Sequence, residues 1–71
     1  MTGFRFDLAL REPGRLANEI AELDGIPLLG HKLRVMRDGA EADMFIIAVI
    51  WFHAPGALSK SGLLTLSEHF P

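Results

Sequence analysis

Residues 44–52, Met-Phe-Ile-Ile-Ala-Val-Ile-Trp-Phe, form an unbroken apolar run. Its β-branched and aromatic residues favour an extended strand. With regular alternation, Met44, Ile46, Ala48, Ile50 and Phe52 share one face, and Phe45, Ile47, Val49 and Trp51 share the other. A strand that is apolar on both sides presents neither face to water. Whatever this chain folds into must therefore cover that strand twice.

The means of covering it are limited by size. A chain of 71 residues supplies one domain, residues 1–71, and a domain this small buries only about 60% of its unfolded surface. Small scaffolds usually add disulfides, a metal or a partner. The chain has no cysteine, which removes disulfides, thiolate metal sites and cysteine nucleophiles, and fits a reducing, cytoplasmic setting. Association is the stabiliser that remains. A formal net charge of -2 and a pI near 5.8 give no electrostatic case for nucleic acid. The hydrophobic fraction of 49% is ample for a core. The first residues lack a basic segment followed by an apolar one and do not read as a signal peptide. The apolar stretch continues to Leu58 but is interrupted by His53, Pro55 and Gly56, short of the roughly 20 residues a spanning helix needs.

Periodicity outlines the remaining elements. Phe4, Phe6, Leu8 and Leu10 alternate with Arg5, Asp7 and Ala9, the pattern of a half-buried strand. Pro13 then suits a first helical position beside Glu12. Leu16, Ile20 and Leu23 follow at helical spacing, and Asp24-Gly25 with Pro27 closes the segment. These signals predict a helix. Residues 31–37 alternate again, and Asp38-Gly39 is a two-residue hairpin signal because both positions tolerate positive φ. That turn sets Arg37 opposite Ala40, Val35 opposite Ala42, Arg34 opposite Asp43 and Leu33 opposite Met44, which are favourable cross-strand pairs. The C-terminal stretch reads either as a helix opened by Pro55-Gly56 through Ala57, Leu58, Leu63, Leu66 and Phe70, or as a short helix ending near Gly62 followed by a strand on which Leu64, Leu66 and Phe70 alternate. The order strand, helix, strand, strand, then helix or short helix plus strand predicts an α+β, ferredoxin-like βαββα(β) sandwich with an antiparallel sheet, its last strand missing or compressed.

No chemistry-bearing constellation has the spacing of a known site. His31, His53 and His69 match no metal-ligand pattern, so no metal or cofactor is expected. His53, just before Pro55-Gly56 at a strand end, is a candidate ligand contact. Glu19 with Glu22 and Glu41 with Asp43 read as solvated carboxylates and not as an acid–base catalytic pair. Ser59, Ser61 and Ser67 lack a nucleophile elbow, and the glycines form no phosphate loop. Lys32, Arg34 and Arg37 form a basic stripe, with Phe45 and Trp51 nearby, but Asp7, Glu41 and Asp43 interrupt the positive field that a single-stranded nucleic acid requires.

The segment at residues 8–20, with Pro13, Gly14 and Leu16 after a strand, resembles the opening of an ACT domain. That resemblance implies a βαββαβ fold, binding of amino acids or similar small molecules between associated domains, and a ligand-bordering role for Gly14. Departures are the position of Ile20, the early stop at Gly25, and Pro27 where the family has a small polar residue.

The leading functional expectation is a non-enzymatic association module. In such a sheet the helices cover one face, leaving Phe45, Ile47, Val49 and Trp51 as an interface. The module would homodimerise or dock on a larger protein, as accessory, inhibitor or immunity-type subunits do. The alternatives are an ACT-like sensor of small metabolites and a small membrane-associated subunit using residues 45–66.

Overall fold

A computed structural model describes residues 3–52 and 60–71. Five strands follow in chain order: β1 (Phe4–Leu10), β2 (Ile20–Leu23), β3 (Lys32–Arg37), β4 (Ala40–Phe52) and β5 (Lys60–Ser67). They form one mixed sheet in the order β2-β1-β5-β4-β3. β1 runs parallel to β5, and every other pairing is antiparallel.

Among the described residues there is no helix, so the expected α+β ferredoxin-like sandwich is replaced by an all-β half-barrel. The helix expected after Pro13 is an irregular connection followed by β2, in which residues 20–23 pair with Phe4, Arg5, Phe6 and Asp7 of β1. A helix of that length is marginal alone and forms only by docking an apolar face. Here the sheet curls over its own inner apolar face, so that face is covered without a helix. Pairing instead satisfies the outer edge of β1, and it turns Ala21 and Leu23 inward. The last strand, expected to be missing or compressed, is β5, at the centre of the sheet between β1 and β4. Its β1 pairing also makes the sheet mixed rather than antiparallel.

The hairpin forms in the register read from Asp38-Gly39, with Arg34 opposite Asp43 and Leu33 opposite Met44. Asp38 has φ 51° and Gly39 φ 84°, the two positive values of a type I′ turn.

The core lies inside the curl. Phe6, Met44, Ile46, Leu64 and Leu66 are buried, with Phe4, Leu8, Leu10, Leu23, Leu33, Val35, Ala42 and Val49 packed against them. Closure comes from the β1–β2 connection, which crosses to the end of β3. There Ala17 N–H donates to the Met36 carbonyl at 2.9 Å and Asp38 N–H to the Arg15 carbonyl at 2.9 Å. Polar groups fasten the same region. The Ser67 hydroxyl donates to Glu12 at 2.6 Å and Glu68 N–H donates to Glu12 at 3.0 Å. Arg37 donates to the Pro13 carbonyl at 2.7 Å and pairs with Glu68. These bonds tie the first connection to the last strand.

β4 bends at its middle. Its first half pairs with β3 through Phe45, its second half pairs with β5 through Phe52, and the register slips between Ile46 and Ala48. A β-bulge at Ile47 inserts one residue and reverses which side chains face inward beyond it.

Candidate functional site

The bulge decides which residues are available for contact. Directly opposed residues share a face, so pairing carries the assignment across the sheet. Before the bulge, Met44 and Ile46 point into the core. Beyond it, Val49 lies opposite buried Leu64 and Trp51 opposite Gly62, so these two point inward. Trp51 meets Phe6 at 5.0 Å and Phe4 at 5.5 Å between ring centroids, both edge-to-face.

The expected interface of Phe45, Ile47, Val49 and Trp51 is therefore not one face. Val49 joins the core, and Trp51 caps its lower end while staying 45% exposed. Phe45 lies on the outer surface opposite Lys32, whose Nζ is 5.0 Å from its ring centroid, with Phe70 at 6.1 Å. Ile47 occupies the bulge.

Among the described residues, Ala48, Ile50 and Phe52 of β4 form an outward apolar patch with Leu63 of β5. Ile50 and Phe52 are 50% and 51% exposed. Unbroken alternation through the run would put Ile50 and Phe52 on the same face as buried Met44 and Ile46. The sequence carries little signal for the reversal, because every residue from 44 to 52 is apolar. With Trp51 between them, three consecutive large apolar side chains stand half in water at the end of β4.

A second feature is the mouth of the half-barrel. β2 and β3 face each other across a cleft of about 390 Å³, floored by Leu8, Ala21, Leu23, Leu33 and Val35, with Glu22 and Arg34 at its rim. Its lining is mostly apolar with a few polar groups at the edge, the usual composition of a small-molecule site.

The candidate chemistry resolves into structural roles. Arg34 donates to Asp43 at 2.8 and 3.3 Å and lies 3.9 Å from Glu41. The Arg34 hydrogen bond holds the Asp43 carboxyl below its ordinary pKa. The Ser67 hydroxyl, then the Glu68 N–H, do the same for Glu12. The basic stripe is divided, since Arg37 sits on the inner side with only 14% of its side chain exposed. Glu19 and Glu22 are both exposed. Among the described residues, no three His, Asp or Glu side chains gather as metal ligands.

Gly14 lies against the Arg37 side chain: a Cβ there would come within 2.6 Å of the Arg37 Nε and 3.2 Å of Leu10. The glycine makes room for the guanidinium that fastens the connection. His53 lies outside the described residues, as do Pro55, Gly56 and Ser59. Among the described residues no helix is long and apolar enough to cross a membrane, and residues 45–66 include parts of two separate strands. No family model, curated protein or solved structure matches the chain.

Proposed function

We propose that this protein is a non-enzymatic association module that binds another protein chain through the apolar end of β4. The observation that carries the reading is the half-exposure of Ile50 and Phe52 on the outer face of β4, continued across the sheet by Leu63. Isolated exposed apolar residues are ordinary, but contiguous ones mark contact surfaces. Aromatic anchors of this kind dominate interface energies. The partner is another copy or a larger protein, and the cysteine-free composition supports a cytoplasmic setting.

The test substitutes the outer residues, because Trp51 also supports Phe4 and Phe6. A tagged Ile50→Asp/Phe52→Asp double variant should keep the β-sheet circular dichroism of the parent. It should lose the stoichiometric protein, self or foreign, that co-purifies with the parent. Undiminished association in a folded double variant refutes the proposal.

The cleft between β2 and β3 supports a second reading, a sensor of small molecules such as amino acids. It rests on the cleft's volume and lining and not on a βαββαβ fold. A ligand present at 100 times its Kd stabilises the native state by about 2.7 kcal/mol. A panel of amino acids at millimolar concentration should therefore raise the melting temperature, and an unmoved melting curve argues against this reading.

A further inference from the structure

Among the described residues, the second half of β4 has a free edge. β3 pairs with β4 only as far as Phe45, and the preceding turn adds two bonds to Ile46, from Gly30 N–H at 2.9 Å and to the His31 carbonyl at 2.8 Å. From residue 47 to residue 52, among the described residues, β5 lies on one side and no strand lies on the other. Alternate backbone N–H and C=O groups there point away from the sheet over about 20 Å.

The outer edges of this sheet carry the usual protection, and this one does not. β2 is only four residues long and carries Glu22. β3 carries Lys32, Arg34 and Arg37. Short length and charge are the devices that keep sheet edges from pairing with other chains. Residues 47–52 are Ile-Ala-Val-Ile-Trp-Phe, with no charge, proline or glycine.

We infer that this edge pairs with the same edge of a second copy of the chain, antiparallel about a two-fold axis through Ile50. The inference rests on the association reading and names its partner. Antiparallel two-fold pairing sets residues of like face opposite one another. With Ile50 on the axis, Ala48 opposes the partner copy's Phe52 and Val49 opposes the partner copy's Trp51. Those are small-with-large and β-branched-with-aromatic pairs, the combinations that stabilise cross-strand contacts. The edge is neutral, so an identical copy meets no like charge, and no charge is present to select an acidic or basic partner. Pairing also merges the two outward patches of Ile50, Phe52 and Leu63 into one surface beside the axis.

The experiment combines light scattering on gel filtration with amide hydrogen exchange, using the full chain. The expected mass is twice the 7.8 kDa of one chain, and successive amides from residue 48 to residue 51 should all be protected. Ile50→Lys and Ile50→Glu each place like charges on the axis, so each variant alone should dissociate about tenfold or more weakly bound. An equimolar mixture should recover the dimer, because opposite charges then meet. A dimer whose alternate amides at 47–52 exchange freely overturns the edge pairing while leaving association intact. A monomer at all concentrations overturns the second copy as partner, and the Ile50→Asp/Phe52→Asp comparison then decides whether a foreign chain binds. Equal affinity in the single variants and their mixture overturns the placement of Ile50 on the axis.

Discussion

Replacing Gly62 by alanine probes how the central strands meet. Gly62 lies opposite Trp51 on β4 and opposite Phe6 on β1, so it sits under the two aromatic rings that close the lower core. A Cβ at this position would strike the backbone carbonyl oxygen of Ile50 and come within 2.7 Å of Phe6 Cε1. Ordinary contact begins at 3.4 Å, so the ring would have to retreat by about 0.7 Å. Phe6 is fully buried and held edge-on by Trp51, and the Ile50 carbonyl belongs to a paired strand. Neither neighbour yields cheaply. Overpacking a core costs about 1–3 kcal/mol, and a collision with backbone places Gly62→Ala near the upper end, about 3 kcal/mol. With roughly 1 kcal/mol per molar of urea for a small domain, the unfolding midpoint should fall by about 3 M. The melting temperature should fall by about 12–24 °C. Trp51 is the only tryptophan and reports the transition by fluorescence. Phe6→Leu removes the ring collision but carries its own cavity cost; measured against Phe6→Leu alone, Gly62→Ala should keep more than half of its cost, because the collision with the carbonyl remains. A destabilisation below about 0.5 kcal/mol would refute this account of the strand contact.

Leu64, fully buried on β5, should cost about 3 kcal/mol when changed to alanine, measured by urea unfolding. Gly39→Val should cost about 1–2 kcal/mol from backbone strain alone, since φ is 84° and a Cβ there meets nothing. Gly25→Ala is the control: its site is also open and has no positive φ, so thermal melts should show no loss and a gain of up to about 1 kcal/mol. Glu12 and Asp43 both have folded pKa values held below their ordinary ones. Their contribution is therefore present above the ordinary carboxylate range and lost as pH falls below about 4. Melting temperatures from pH 6 to pH 3 should fall less steeply in a Glu12→Gln/Asp43→Asn variant, and an identical slope would contradict the pairing.

The parts of the fold that were legible are those where one local signal acts alone. Asp38-Gly39 dictates its turn and, through it, the pairing of Arg34 with Asp43. The alternation at residues 4–10 gave β1 with its inner and outer faces. Residues 13–24 misled because a run carrying Leu16, Ile20 and Leu23 at helical spacing also places Ala21 and Leu23 two apart. Four residues of strand carry too little pattern to compete. What decided the matter was nonlocal, namely the open edge of β1 and a core that the curled sheet closes by itself. The C-terminal strand was visible only as one of two readings, in the spacing of Leu64, Leu66 and Phe70, of which Phe70 falls past the end of β5. For the site, the run at 44–52 did announce a surface needing cover. The bulge at Ile47 then exchanged its faces, and no alternation can reveal a one-residue slip inside a segment that is apolar at every position.

The parallel pairing of β1 with β5 also bears on how the molecule is made. It joins residue 4 to residue 60 and residue 10 to residue 66, so the first of these five strands to be synthesised is completed only by the fifth. The β3–β4 hairpin closes across a two-residue turn and can form within microseconds. Phe6 must wait for Leu64 and Leu66 before it has a core to enter, and closing so long a loop precedes any reward for it. Until then the apolar faces of β1 and β4 are open together. Folding should accordingly show a fast hairpin phase followed by a slower closure, and that interval is when the nascent chain is most exposed to unwanted pairing.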